Sequence, residues 1–435
     1  MRGTNALTQS LVCFLVLGTA MTLADDAIPG STPTTASPAD TNEPATAEQA
    51  TAGRETLTNG FWGLGDRLAD HGIEVALGST NVYQTNAKGG LGTHQQSGRL
   101  TGSYDVEVAT DLEKLLGLKG LGLFVHGWGG YPATPGINDT MVGSAFNVNW
   151  DAIGNRPLDL VEVLLEWSPF KDRLAVKVGK INFAGVFDTS EYANDETSQF
   201  LNGAFVNNLT IPIPDYCLGV VLSAQLTDAW SVAAGVGDGE ADGRTTGFRT
   251  TFDGDDYFFY ALETGFRPEW RSPRGPLTGN YRLGLWYDPH PKAHSDSDEA
   301  YHNDVGIYLS VDQVLFKENE GREDSQGLGI FARYGYADQK RNDLSSFWSA
   351  GLQYQGLLPR RDEDVLAVGF ARGFFSNEAA MTFPGGSESV LESYYSVQIA
   401  PWVTVSPSVQ YIANPGGSST VADAIVVGVR AQIAF

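Results

Sequence analysis

Residues 426–435, VVGVRAQIAF, form the last stretch of the chain and decide its fold. Successive side chains of an extended strand point to opposite faces. Ile425, Val427, Val429, Ala431, Ile433 and Phe435 therefore share one face, and Gly428, Arg430, Gln432 and Ala434 share the other. One face is oily and the other is wet. A soluble sandwich produces the same alternation over a single strand, so the reading rests on how often the chain repeats it.

It repeats at sixteen places, near 72–84, 100–112, 119–130, 159–169, 172–183, 216–227, 229–237, 256–266, 279–287, 303–315, 326–338, 346–357, 364–374, 390–400, 402–413 and 423–435. In each, one parity is apolar or aromatic and the other is glycine or polar. The links alternate in length. SPFKD, LTDA and IAPWV are short, whereas 85–99, 131–158, 184–215, 238–255, 288–302 and 375–389 are long and polar. Short turns on one rim and long loops on the other are how outer-membrane barrels are built. The fold class read here is all-β, a 16-stranded antiparallel transmembrane β-barrel with short periplasmic turns and long extracellular loops.

Aromatic placement agrees. Trp167 and Trp230 take the outward parity beside short turns, Trp402 lies in such a turn, and Phe435 is terminal. Amphipathic rings favour the headgroup level, so these four read as a periplasmic girdle. Phe435 also reads as the signal offered to the barrel-assembly machinery, and lipopolysaccharide and outer-membrane lipid are the expected surroundings.

The 435 residues include 51 glycines and only 18% charged side chains, a profile that favours a large barrel. The formal charge of −24 argues against nucleic acid as a partner. Arg2 followed by LVCFLVL at 11–17 and the small residues Thr22 and Ala24 read as a secretory signal over 1–24. Cys13 leaves with it, so Cys217 has no disulfide partner. Residues 25–56 are rich in Thr, Ala, Pro and acid and read as a disordered periplasmic leader. The barrel domain is then 57–435. After the signal, no stretch reaches the roughly 18 uninterrupted apolar residues of a spanning helix.

If the apolar parity faces lipid, the other parity lines the lumen. That rule turns inward Asp105, Glu107, Glu162, Glu166, Lys177, Arg282, Trp286, Arg333, Gln353, Glu392 and Arg430. A charge on the lipid face at the midplane would cost about 2–4 kcal/mol, so the assignment is self-consistent. Mixed signs suit a neutral polyhydroxylated solute, because guanidinium donates and carboxylate accepts. Trp286 and Trp128 supply apolar plates for the C–H face of a sugar. Bracing of the barrel by the same charges is an equal alternative for each residue.

Catalytic constellations are not found. His71, His94, His126, His290, His294 and His302 lack metal-site spacing, and neither a nucleophile elbow nor a phosphate loop occurs. HSDSDEAYHND at 294–304 reads as a solvated charge run. No cofactor or metal is expected, and no enzyme activity. The alternatives kept open are a general or anion-preferring porin, and an outer-membrane enzyme or adhesin built on the same barrel. Parity leaves monomer and homotrimer equally open.

Several stretches carry a resemblance: FWGLGDRLADHGIEV at 61–75, DLEKLLGLKGLGLFVHG at 111–127, VEVLLEWSPFKDRLAVKVGK at 161–180, YRLGLWYDP at 281–289, GLGIFARYGYAD at 327–338 and PWVTVSPSVQYIANPGG at 401–417. Together they resemble the carbohydrate-selective porins of the outer membrane, the OprB family, from about residue 57 to the terminus. The resemblance implies a sixteen-stranded barrel whose long loops fold inward, and passive passage of monosaccharides such as glucose. It also implies arginines and carboxylates at the narrowed zone, matched by Glu162, Glu166, Arg282 and Arg333. Ser396 stands where relatives often carry a polar or basic residue, and the loops at 131–158 and 184–215 are particular to this chain.

Overall fold

The computed structural model describes residues 56–435, apart from 94–97, 133–135, 171–172, 253, 255–256, 294–299, 321–324, 378–382 and 384–385. The expected signal, the leader before Thr56, His94 and His294 lie outside the described residues.

Sixteen long strands form in the places the alternation marks. They are β1 (Ile73–Gly90), β2 (Arg99–Asp111), β3 (Leu121–Tyr131), β4 (Arg156–Trp167), β5 (Leu174–Ile181), β6 (Cys217–Gln225), β7 (Trp230–Asp238) and β8 (Phe258–Phe266). The second half comprises β9 (Gly275–Asp288), β10 (Asp304–Lys317), β11 (Gly327–Ala337), β12 (Leu344–Gln355), β13 (Val365–Phe375), β14 (Ser387–Ala400), β15 (Val403–Ala413) and β16 (Ala422–Ala434). Each pairs antiparallel with its sequence neighbours, and β16 returns to β1 from Gly78↔Ala434 to Gly90↔Ala422. The Phe435 N–H donates to Leu77 O at 3.0 Å, so the terminus takes part in closure. A closed ladder leaves no unpaired edge, which is the condition for a sheet in hydrocarbon. Among the described residues no helix is long and apolar enough to cross a membrane.

Two departures concern the links. β1 runs on to Gly90, so the first long link shrinks to 91–98. Its extension pairs with β16 through two register shifts, which leave Ala87 and Gly89 without a partner position on β16. Trp402, expected in the lipid girdle, is half-buried and borders the cavity inside the barrel. Trp167 and Trp230 do face outward, 49% and 47% exposed.

The parity rule holds in detail. On β9, Leu283 and Leu285 are exposed while Trp286 is 1% exposed. The interior is not an open tube, because link residues 136–155 and 182–216 fold into it. Phe146, Val148, Phe200 and Phe205 from these links pack with Phe331, Phe347, Ala367, Ala371, Val390 and Val426 of the wall. A second cluster joins Phe183, Phe187 and Ile211 to Phe124, Leu164, Phe259 and Tyr308. Inward glycines provide the sockets. A Cβ at Gly369 would lie 2.7 Å from Phe205 and 3.0 Å from Phe200, and one at Gly373 would lie 2.7 Å from Phe146. The inward parity therefore reads small and polar partly because the loops, not water, fill that space.

Candidate functional site

A cavity of about 2400 Å³ lies inside the barrel. β2 places Asp105 and Glu107 on its wall, β3 places His126 and Trp128, β5 places Lys177, and β9 places Arg282. The folded-in loop contributes Glu191, Tyr192, Asp195, Glu196 and Tyr216. His126 is held between carboxylates, with Nε2 2.9 Å from Asp105 Oδ1 and Nδ1 3.3 Å from Glu162 Oε2. Burial, reinforced by the nearby Asp195 and Asp105, pushes the Glu196 carboxyl up to about 8.

The loop over 182–216 is fixed by the charges that parity turns inward. Arg333 donates to Phe205 O at 2.9 Å, Asp188 O at 2.9 Å and Asn194 Oδ1 at 3.0 Å, and its Nε lies 3.4 Å from an Asp188 carboxylate oxygen. Burial pushes the Asp188 carboxyl up to about 7, although Arg333 draws it down. Arg430 donates to Glu196 O at 2.9 Å, Gln199 O at 2.7 Å and Ser198 O at 2.7 Å. Carboxylates do the converse. Glu392 accepts from the N–H groups of Leu201 and Asn202 at 2.9 and 3.0 Å, Glu263 from Asp188 N–H at 2.9 Å, and Glu162 from Asn182 N–H at 2.8 Å. Asp312 accepts from the Ser190 hydroxyl at 2.6 Å, and Glu388 from Ala145 N–H at 2.9 Å on the other inward loop. The loop backbone pairs with itself only in part, as in Phe187 N–H to Phe183 O and Gln199 N–H to Asp195 O, and wall side chains supply partners for groups left over.

The residues that parity turns inward divide into two sets. Glu162, Glu166, Trp286, Arg333 and Arg430, expected on the solute path, are not among the residues that line the cavity. Arg333 and Arg430 are 2% exposed and spend their donors on loop carbonyls. Glu166 is buried beside Lys177 at 3.6 Å, and Trp286 lies against Gly306, where a Cβ would come within 2.2 Å of the indole. Glu392 is wholly enclosed by the loop amides. Asp105, Glu107, Trp128, Lys177, Arg282 and Gln353 do border the cavity. Arg282 is partly committed, with NH1 donating to Thr189 O and lying 3.3 Å from Asp312 Oδ2. Parity gives no access to Glu196, because link residues have no alternation; Arg156 lies ahead of the alternating stretch 159–169 although it opens β4, and Tyr216 is the first residue of 216–227 but joins the folded-in loop to β6. The proline pair of IPIPDY at 211–216 stiffens the chain and is a local sequence feature that suits a packed loop. Among the described residues no group of His, Cys, Asp and Glu is arranged to hold a metal ion.

The family model for the carbohydrate-selective porins, OprB family, matches residues 95–435. The chain belongs to this family. It is accordingly a carbohydrate-selective porin of the outer membrane, so the short-turn rim is periplasmic and the long-loop rim extracellular. The OprB family is a porin family and not a family of enzymes. The chain is similar to Porin B of Pseudomonas aeruginosa, 24% identical over 429 residues that span 87% of this chain and 92% of that protein. In fold it is similar to Pseudomonas putida OprB. The high-pH structure of that protein superposes with a TM-score of 0.77 at 20% identity, over 88% of this chain and 99% of the other. The low-pH structure gives 0.56 at 18% identity over the same shares.

Proposed function

We propose that the passage carries glucose-like monosaccharides down their gradient into the periplasm, and that its lining residues are the ones a solute meets. The observation that supports this most is the composition of the lining. It combines an indole, Trp128, with acceptors at Asp105 and Glu107 and donors at Arg282 and Lys177, in a space bounded by a fixed loop. A ring with an apolar face and a rim of hydroxyls matches that mixture, and the contacts are weak enough singly to release it. Planar-bilayer recording tests the reading. Glucose is expected to reduce the ionic current in a concentration-dependent way, and absence of block by every monosaccharide tried contradicts it.

Residues 1–24 act in this reading as the export signal and 25–56 as a periplasmic leader before the barrel domain. Phe435, hydrogen-bonded into the closing strand pair, is the part offered to the assembly machinery. Lipopolysaccharide surrounds the extracellular half of the lipid face.

A further inference from the structure

Towards the extracellular rim, Trp128 of the sugar-channel reading stands with two side chains to which that reading gives no role, Arg156 and Tyr216. Trp128 lies near the outer end of β3, and Arg156 opens β4 beside it, paired with Gly130. Tyr216 arrives from a different element, as the residue that joins the folded-in loop to β6. The Trp128 and Tyr216 ring centroids are 6.1 Å apart and inclined at 52°. The Arg156 guanidinium carbon lies 5.6 Å from the indole centroid, steadied by Asp159 at 3.8 Å. Trp128, Tyr216, Arg156 and Asp215 all border the cavity. Tyr216 sits at φ 45°, a left-handed conformation that a bulky L residue seldom takes, and this places its ring against Trp128. Among the described residues neither the Trp128 Nε1–H nor the Tyr216 hydroxyl has a hydrogen-bond partner.

We propose that Trp128, Tyr216 and Arg156 form an outer subsite for a pyranose ring, occupied before the solute reaches the zone of Asp105, Glu107 and His126. The proposal rests on the sugar-channel reading and adds which form of sugar is favoured. Two inclined rings make an apolar wedge that fits the C–H face of a closed ring. Around it, the indole N–H, the phenol and the guanidinium donate and Asp215 accepts, which suits a rim of hydroxyls. An open-chain polyol carries similar hydroxyls and lacks the rigid C–H face, so the subsite distinguishes ring from chain.

Single-channel recording on the full chain with D-glucose and with D-glucitol tests this. In the wild type, glucose blocks are expected to last longer than glucitol blocks. Trp128→Ala and Tyr216→Ala should each shorten the glucose block by roughly three- to ten-fold, towards the glucitol value, while Trp128→Phe keeps most of the difference. Heat-modifiable gel migration establishes that each variant has formed its barrel, and the Phe variant covers the case in which an Ala variant does not assemble. Glucose blocks of unchanged duration in the alanine variants overturn the subsite and leave the sugar channel standing. Equal shortening for glucose and glucitol also overturns it. No glucose block in the wild type overturns both.

Discussion

At the scale of single residues, the molecule separates charges that the sequence presents as one set. Arg333 and Arg430 read on parity as members of a mixed-sign solute path, yet both are buried beneath the loop and saturate its carbonyls. Parity was legible because lipid and interior impose it on every strand residue. Which interior charges meet solute was not, because that depends on where a long loop comes to rest. Arg333→Ala leaves the Asp188 carboxylate and three loop acceptors without their partner, a loss of about 3–5 kcal/mol in local stability. The expected result is a larger and noisier open-channel current from a barrel that still shows heat-modifiable migration; an unchanged current contradicts the pinning role. Glu196 provides a second case. Its carboxyl, raised to about 8, is mainly protonated below that pH and anionic above it. Cation preference, read from the reversal potential in a salt gradient, should therefore rise as pH climbs through about 8, and Glu196→Gln should remove that rise. A wild-type reversal potential that is flat across the range contradicts the assignment.

At the scale of elements, all sixteen strands were legible from period-two alternation, since each is long and has one lipid-facing side. The inward loops were legible only as long polar links with a proline pair. Their seating follows from complementarity between loop phenylalanines and wall glycines, a long-range match that no local pattern encodes. Gly369→Leu puts a side chain where Phe205 lies and should cost about 1–3 kcal/mol by overpacking, displacing the loop while the strands stay paired. Glu392→Ala acts on the same element from the other side. It leaves the Leu201 and Asn202 amides buried and unpaired, at about 1–3 kcal/mol each. Limited proteolysis should then cut within 182–216 in Glu392→Ala and spare the wild type; equal resistance of the two would show that the carboxylate does not hold the loop.

At the scale of the whole molecule, the barrel and the loop divide the work. The closed cylinder satisfies hydrocarbon on the outside and leaves an interior wide enough to need filling, and the loop residues 136–155 and 182–216 occupy part of it beside a cavity of about 2400 Å³. The size of the admitted solute is then a property of the loop and its anchors rather than of the strand count. Liposome swelling with sugars of increasing length tests this most directly, on wild type and on the Arg333→Ala/Arg430→Ala double variant. The wild type is predicted to admit glucose and to exclude a trisaccharide that the loosened variant admits. A wild type that excludes glucose, or two proteins with the same size limit, would contradict the account.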